Sequence, residues 1–316
     1  MRLIAPSFLI VLFVTMSSAQ AGCGAGVCSA RSGWGVLNIN EAQNAGTLLD
    51  LRFEAIDLEQ LREGSGKLSD AAAHRDELYT RNRNLIATVD HTFSPQWAAT
   101  LMLPWYDREH AHIHHHGGAE IFDEWNFSGV GDVRLLARHQ RPGRHPHSTF
   151  AVNLGLKLPT GKYDKANAGG DVAERSLQLG TGTTDAIATV YCGRAFMERN
   201  IDFFGQLGAQ YPLNEREGYR PGERWTLDVG MRYGTTLKLD ALAQFNMLWI
   251  GRDEGAEAEP DSTGGRYVFF NPGLSLNIDR NWQTYALIQL PLYQYVNGAQ
   301  LTPDYGFVLG TSHRFR

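Results

Sequence analysis

The stretch HAHIHHHGG, residues 110–118, holds His110, His112, His114, His115 and His116. Imidazole is the commonest protein ligand for metals such as zinc and copper, so the chemistry offered here is metal coordination, of Zn²⁺ or Cu²⁺. In an extended chain alternate residues project to one side, which aligns His110, His112, His114 and His116. Glu109, Glu120 and Asp123 stand close enough in sequence to add carboxylate oxygens. The competing reading is a solvated, histidine-rich loop, because a short biased tract is compositional information only. A second pair, Cys23 and Cys28, encloses only Gly, Ala and Val. In an oxidising compartment that loop could close into a disulfide, and the same thiols could instead hold a metal. Serines and histidines occur elsewhere, but no spacing among them marks a nucleophile, a base and an orienting group. No enzymatic activity and no organic cofactor are expected.

The elements that must position these residues begin with an export signal. Arg2 precedes the apolar run LIAPSFLIVLFVTM, and small residues follow at Ala19 and Ala21. This pattern predicts a signal peptide over residues 1–21, cleaved after Ala21. A membrane anchor fits less well, since the run contains Pro6 and falls short of the roughly 20 apolar residues of a spanning helix. The formal net charge of −5 gives no basic surface for nucleic acid.

From residue 48 onward one device repeats: about ten residues of strict apolar/polar alternation, then a turn or loop. In LLDLRFEA, Leu49, Leu51 and Phe53 share one face while Asp50, Arg52 and Glu54 take the other. The predicted segments are 48–58, 82–93, 96–106, 129–140, 148–158, 183–195, 200–211, 223–235, 237–250, 264–278, 281–293 and 304–315. The connections alternate between short turns and longer, charged loops such as 107–128, 159–182 and 251–263. That alternation of rims describes an all-β fold: a transmembrane antiparallel up-and-down β-barrel of about 12 strands, of the bacterial outer-membrane type. Residues 22–47 would form a periplasmic tail or plug and 48–316 the barrel.

A soluble sandwich alternates too, with its apolar face inward. Two features favour the inverted arrangement. Charged residues recur along the polar face: Arg52, Glu54, Asp90, Asp132, Arg134, Arg138, Lys157, Asp185, Asp202, Asp228, Arg232 and Asp240 are the predicted lumen-lining set. Aromatics bracket the apolar face, with Trp97 and Trp105, Trp225 and Tyr233, and Tyr305 and Phe315 near opposite ends of single strands. Eight residues at about 3.3 Å each span roughly 26 Å along a strand. Tilted by about 40°, that is roughly 20 Å, close to the apolar band between two aromatic girdles. The expected surroundings are outer-membrane lipid and lipopolysaccharide, with the barrel-assembly machinery as a partner during insertion.

Three motifs carry a family resemblance. GVGDVRLLAR (129–138), LGLKLPTGKYD (154–164) and LGTGTTDA (179–186) resemble, in that order, the family of outer-membrane channels linked to the meta-pathway of phenol degradation. The resemblance covers roughly residues 129–316 and implies transport of a small solute, hydrophobic or aromatic in character. Asp132, Lys157 and Asp185 fall together near one rim, where they could form a charged constriction or salt-bridge one another. A passive channel is therefore the leading expectation, and residues 22–47 or a long loop could plug its lumen. The alternative is an outer-membrane metal-binding or metal-uptake protein that uses the histidine tract on an extracellular loop.

Overall fold

The computed structural model describes residues 46–68, 77–116, 119–235 and 238–315. The predicted signal peptide, the tail up to residue 45 and the Cys23–Cys28 pair lie outside these residues. The elements are β1 (Gly46–Gly64), β2 (Gly66–Lys67), β3 (Glu77–Thr92), β4 (Trp97–His116), β5 (Ala119–Val130), β6 (Val133–Pro142) and β7 (Ser148–Leu158). They continue as β8 (Asp185–Phe196), β9 (Ile201–Pro212), β10 (Arg224–Gly234), β11 (Leu239–Ile250), β12 (Gly265–Asn277) and β13 (Trp282–Phe315).

Every ladder is antiparallel, and the sheet closes where β13 pairs with β1 in unbroken register from Thr47↔Phe315 to Ile56↔Gly306. Closure leaves no open edge within the ring, the condition under which a sheet can sit in lipid. Eleven strands make the ring, with β2 and β5 beside it. The long β13 pairs β12 through residues 283–296 and β1 through 299–315, and both its ends lie at the same rim. It therefore folds back on itself at Gly298, whose φ of 61° the reversal requires. Counted as two passes, it brings the crossings to twelve. β5 and β6 share β4 as a partner, β5 along 105–116 and β6 along 97–102, so the two together make one pass.

The faces are inverted relative to a soluble protein. Along β1, Asp50, Arg52 and Glu54 are buried while Leu51 and Phe53 are exposed. The outer face is a continuous apolar belt that includes Leu103, Leu154, Leu207, Val229, Phe245, Leu274 and Leu309. Exposed apolar surface on this scale calls for lipid. Aromatics bound the belt: Phe93, Trp97, Tyr233, Trp282 and Phe315 at the rim of the chain ends, and Trp105, Tyr211, Trp225, Tyr293 and Tyr305 at the other. The outward histidines of the first rim pack into its girdle, His139 on Trp97 at 4.7 Å and His313 on Trp282 at 4.3 Å. Just beyond Trp105 the outer face turns ionic. Arg83 bonds Asp57 at 2.5 and 3.1 Å, and Arg81 meets Glu109 at 3.4 Å.

One expectation changes here. The segment 107–128 is not a loop; β4 and β5 pair across it from Trp105↔Val130 to His116↔Ala119. Above the lipid no outer face has to be apolar, so strict alternation is not required there. The apolar alternation therefore stops at Trp105, while the backbone ladder carries on without it.

Candidate functional site

The mouth opposite the chain ends is filled from within. The segment 159–184, between β7 and β8, folds into the barrel and buries Leu177 and Leu179. These leucines join one apolar cluster with Ile56 and Leu58, Trp125 and Phe127, Ile250, Tyr267, Phe269, Val296 and Leu301, contributed by strands around the ring. Burying two leucines contributes about 1.5–3 kcal/mol each. Polar contacts fix the direction of approach. Arg108 donates to the carbonyls of Leu177 and Gln178, the latter at 3.0 Å, and to Asn82 Oδ1 at 2.8 Å. Trp125 Nε1 donates to the carbonyl of Asp171 at 2.8 Å. Gln178 holds the segment's own shape, donating to the carbonyls of Ala173 and Lys165 at 2.8 and 3.0 Å.

The three sequence motifs meet at the root of this segment. Asp132 accepts from the backbone amides of Gly161 and Thr181, each at 3.0 Å, and from Lys157 Nζ at 3.0 Å. Lys157 also reaches Asp185 at 3.2 Å and the hydroxyl of Thr181. Asp185 in turn accepts from Thr183 at 2.8 Å and from Gln210 at 2.6 Å. The two ends of the segment touch backbone to backbone. A Cβ on Gly161 would stand 2.8 Å from the Cα of Gly180, and one on Gly180 would stand 2.5 Å from Asp132 Oδ1. Only glycine permits that approach. Asp132, Lys157 and Asp185 thus salt-bridge one another and clamp both ends of the inward segment.

The other lumen residues named from sequence sit on the inward face below it. Asp90 takes a two-pronged bond from Arg138, both at 2.8 Å, and a third from Thr100 at 2.6 Å. Arg52 meets Glu54 at 2.9 Å. Arg232 bridges Asp202 at 2.8 Å and Asp240 at 3.1 Å, while Asn246 donates to Asp228. Arg134 is half-buried and faces the cavity beneath the inward segment. Between the charges lies a second apolar cluster that includes Tyr191, Phe204, Leu242, Tyr285 and Leu287.

That cavity has a volume of about 120 Å³. Arg108, Arg134, Lys157, Arg175 and Arg224 line it against Asp132 and Asp253. Tyr106, Leu179, Tyr219, Ile250 and Tyr267 add aromatic and apolar wall. The guanidinium of Arg175 lies over the rings of Tyr163 and Tyr219, at 4.4 and 4.8 Å. Burial lowers Arg108 to about 10. In the loops above, burial and the adjacent Asp253 hold the Tyr219 hydroxyl well above its ordinary value, and burial likewise raises Asp253.

Beside the mouth stands a histidine cluster on the inward face of β3 and β4. His110 Nε2 lies 3.3 Å from His112 Nδ1 and 3.5 Å from Glu77 Oε2, and His112 Nδ1 lies 3.9 Å from Glu77 Oε1. All three residues are buried. Burial lowers His110 to about 3, with the His112 ring adding to the effect. Of the histidine tract, then, the structure brings together His110 and His112. The side chains of His114, His115 and His116 lie outside those described, although their backbone pairs with residues 119–121. Glu109 turns outward to Arg81, Glu120 is exposed, and Asp123 is the register partner of His112. Glu77 escapes sequence reasoning because its strand, expected from residue 82, begins at 77 in a polar stretch. A wider search for inward-facing carboxylates opposite the tract could have found it.

A closed twelve-pass barrel with an apolar outer belt, two aromatic girdles, and a polar lumen narrowed by an inward segment is a β-barrel of the bacterial outer-membrane type. Residues 112–300, more than half of the chain, match the family described as "Putative MetA-pathway of phenol degradation", and the protein belongs to that family. Among solved structures, an outer-membrane channel of Pseudomonas putida F1 is similar with a TM-score of 0.65 at 13% identity, covering 86% of this chain and 96% of that one. The CymD monoaromatic hydrocarbon channel gives 0.48 at 8% identity over 92% and 94% of the two chains. The β-domain of the Bordetella autotransporter BrkA gives 0.47 at 14% identity over 86% and 100%. No curated protein is significantly similar in sequence.

Proposed function

We propose that the protein is a passive channel for small solutes with an aromatic or hydrophobic body, and that segment 159–184 is its constriction. The observation that carries this reading is the cavity between that segment and the barrel wall. At about 120 Å³ it is somewhat smaller than the roughly 150 Å³ engineered cavity that accepts a benzene. The seated segment therefore leaves room for no more than a single ring, and wider passage needs the segment to shift. The tyrosines and leucine of the wall suit an apolar body, and five cations against two carboxylates favour a hydrogen-bond-accepting or anionic group on it. The family's link to phenol degradation supports an aromatic solute.

In the same reading the apolar belt contacts outer-membrane lipid and the ionic ring above it meets lipopolysaccharide headgroups. The test is uptake into proteoliposomes of phenol and benzoate against a neutral sugar of similar mass, for the wild type and for a variant with 164–178 replaced by a short glycine-serine link. Faster entry of the aromatic compounds, accelerated further by the shortened segment, is expected. A protein that passes none of these solutes even with the segment shortened would defeat the channel reading, and equal entry of all three would defeat the aromatic preference.

A further inference from the structure

We propose that Glu77, His110 and His112 form a binding site for a divalent transition metal of the Zn²⁺ class, facing inward at the mouth of the barrel. The site is independent of whatever solute the channel passes. Its first support is the spacing of the donor atoms. Zinc binds imidazole nitrogen at about 2.0–2.1 Å in tetrahedral geometry, so neighbouring ligands stand roughly 3.3–3.4 Å apart. The two nitrogens are already separated by 3.3 Å, and the first nitrogen and the carboxylate by 3.5 Å. His112 Nδ1 lies 3.9 Å from the other carboxylate oxygen, Oε1, and one donor atom from each residue lies within 4.8 Å of the others, so a rotation of the Glu77 carboxylate brings a single oxygen toward both nitrogens.

The second support is how the donors are held. His110 and His112 are two residues apart on one strand, so their side chains leave the same face. Glu77 is the register partner of His112 on β3, and Thr80 is the register partner of His110. Thr80 Oγ1 lies 2.9 Å from His110 Nδ1, which leaves Nε2 as the nitrogen that points at the other two donors. A second partner on the far ring nitrogen is the usual means of fixing a ligating imidazole. Two imidazoles and one carboxylate also supply the donor set of an open zinc site, with a fourth position for water or an incoming group. Solvated tracts bind metal loosely because each side chain must first be ordered; here the three are buried and ordered by a paired sheet.

The location couples the site to the constriction. The His112 ring packs edge-on against Trp125 at 4.7 Å, and the same indole donates to the Asp171 carbonyl in the inward segment. A metal at this point would brace one of that segment's anchors.

The experiment uses the full-length mature protein in detergent, purified by a tag without histidine and stripped with chelator. Zn²⁺ is titrated by calorimetry, and Co²⁺ by the visible absorption of a tetrahedral centre. The wild type is expected to bind one equivalent of each. A variant with His114, His115 and His116 all changed to Ala should keep that equivalent, while H110A/H112A should lose it. T80V, which touches no metal, should weaken it roughly 10–100-fold. Heat-dependent gel mobility of each variant reports whether the barrel is closed, so a misfolded variant is replaced by the milder E77Q, also expected to weaken binding. The proposal is overturned if the wild type binds no stoichiometric metal, or if binding disappears in the 114–116 variant and survives in H110A/H112A.

Discussion

Asp132→Ala should open the channel without unfolding the barrel. The carboxylate accepts from two backbone amides of the inward segment, from Thr181 Oγ1 at 3.1 Å, and from Lys157. Removing one partner of a buried ion pair costs about 3–5 kcal/mol, because it strands the other charge. Here Lys157 keeps Asp185 at 3.2 Å, which places the loss toward the lower end, about 3 kcal/mol. That cost falls on the barrel wall, where Asp132 and Lys157 both sit. The charge-assisted bonds to the amides of Gly161 and Thr181, at about 1.5 kcal/mol each, fall on the seated segment alone and together come to about 3 kcal/mol. At about 1.4 kcal/mol per decade, the ratio of displaced to seated segment should rise by roughly two orders of magnitude. The strand ladders on either side, β6 with β7 and β7 with β8, do not use this carboxylate. Single-channel recording in planar bilayers is the direct assay: longer or more frequent high-conductance openings are expected in the variant, with unchanged heat-dependent gel mobility. If Asp132→Ala conducts like the wild type while folded, the clamp does not hold the segment. If the barrel itself fails to fold, the network is part of the wall and clamp and barrel are not separable.

Trp125→Phe keeps the ring in its cluster but removes the bond to the Asp171 carbonyl, worth about 1 kcal/mol, so openings should increase roughly fivefold by the same recording. Gly310→Val should destabilise the barrel by about 1–3 kcal/mol in urea unfolding from lipid vesicles, through overpacking. A Cβ there would stand 2.2 Å from the Tyr285 ring, whose hydroxyl bonds Asp50 at 3.1 Å; unaltered stability would contradict this. Asp90→Ala should cost about 3–5 kcal/mol in that assay by leaving the buried Arg138 charge alone, and adding Arg138→Met should restore most of it. Asp253 gives a pH dependence. Its carboxyl accepts from Tyr219 and the Gly222 amide, each at 2.8 Å, yet burial raises it above its ordinary 3.8. A carboxyl raised in the folded state contributes stability below its unfolded value that is lost as pH rises through the folded one. Protease cleavage within 213–223, normalised to a peptide reference, should therefore quicken from pH 4 upward, and Asp253→Asn should flatten that dependence; protection that grows with pH would contradict the sign.

The barrel is written in the sequence as alternation, and each transmembrane stretch is legible where one face meets lipid. Strand pairs such as Leu227↔Met247 and Leu154↔Ala188 follow from turn positions once the period is known. Legibility fails wherever the apolar signal has no lipid to face. β4 runs on to His116 without strict alternation, and β3 begins at Glu77 for the same reason, so a hairpin reads as a loop and Glu77 is missed. The inward turn of 159–184 is hidden for a different reason. Leu177 and Leu179 are two leucines in a polar segment, and nothing local says that they meet Ile56, Tyr267 and Leu301 from strands far away in sequence. Only the pairing of charges was visible in outline: Asp132, Lys157 and Asp185 stand near one rim by periodicity alone, but whether they line a passage or bind one another depends on a segment whose path local pattern does not reveal.

That outcome decides what the family motifs can mean. Gly161 and Gly180 are required by backbone contact, Asp132 by two amides and a cation, and Lys157 by two carboxylates. Each of these residues spends its bonding capacity holding the constriction in place. A motif so occupied fixes the inward segment and carries no information about a solute. Discrimination must instead come from side chains that the seated segment presents and that the clamp does not need, such as Arg175 between its two tyrosine rings, and from wall residues opposite, Arg134 and Tyr267. By this reasoning, exchanging Arg175 or Arg134 for a neutral residue should alter selectivity among phenol, benzoate and sugar, while exchanging Asp132 should raise passage of all three together.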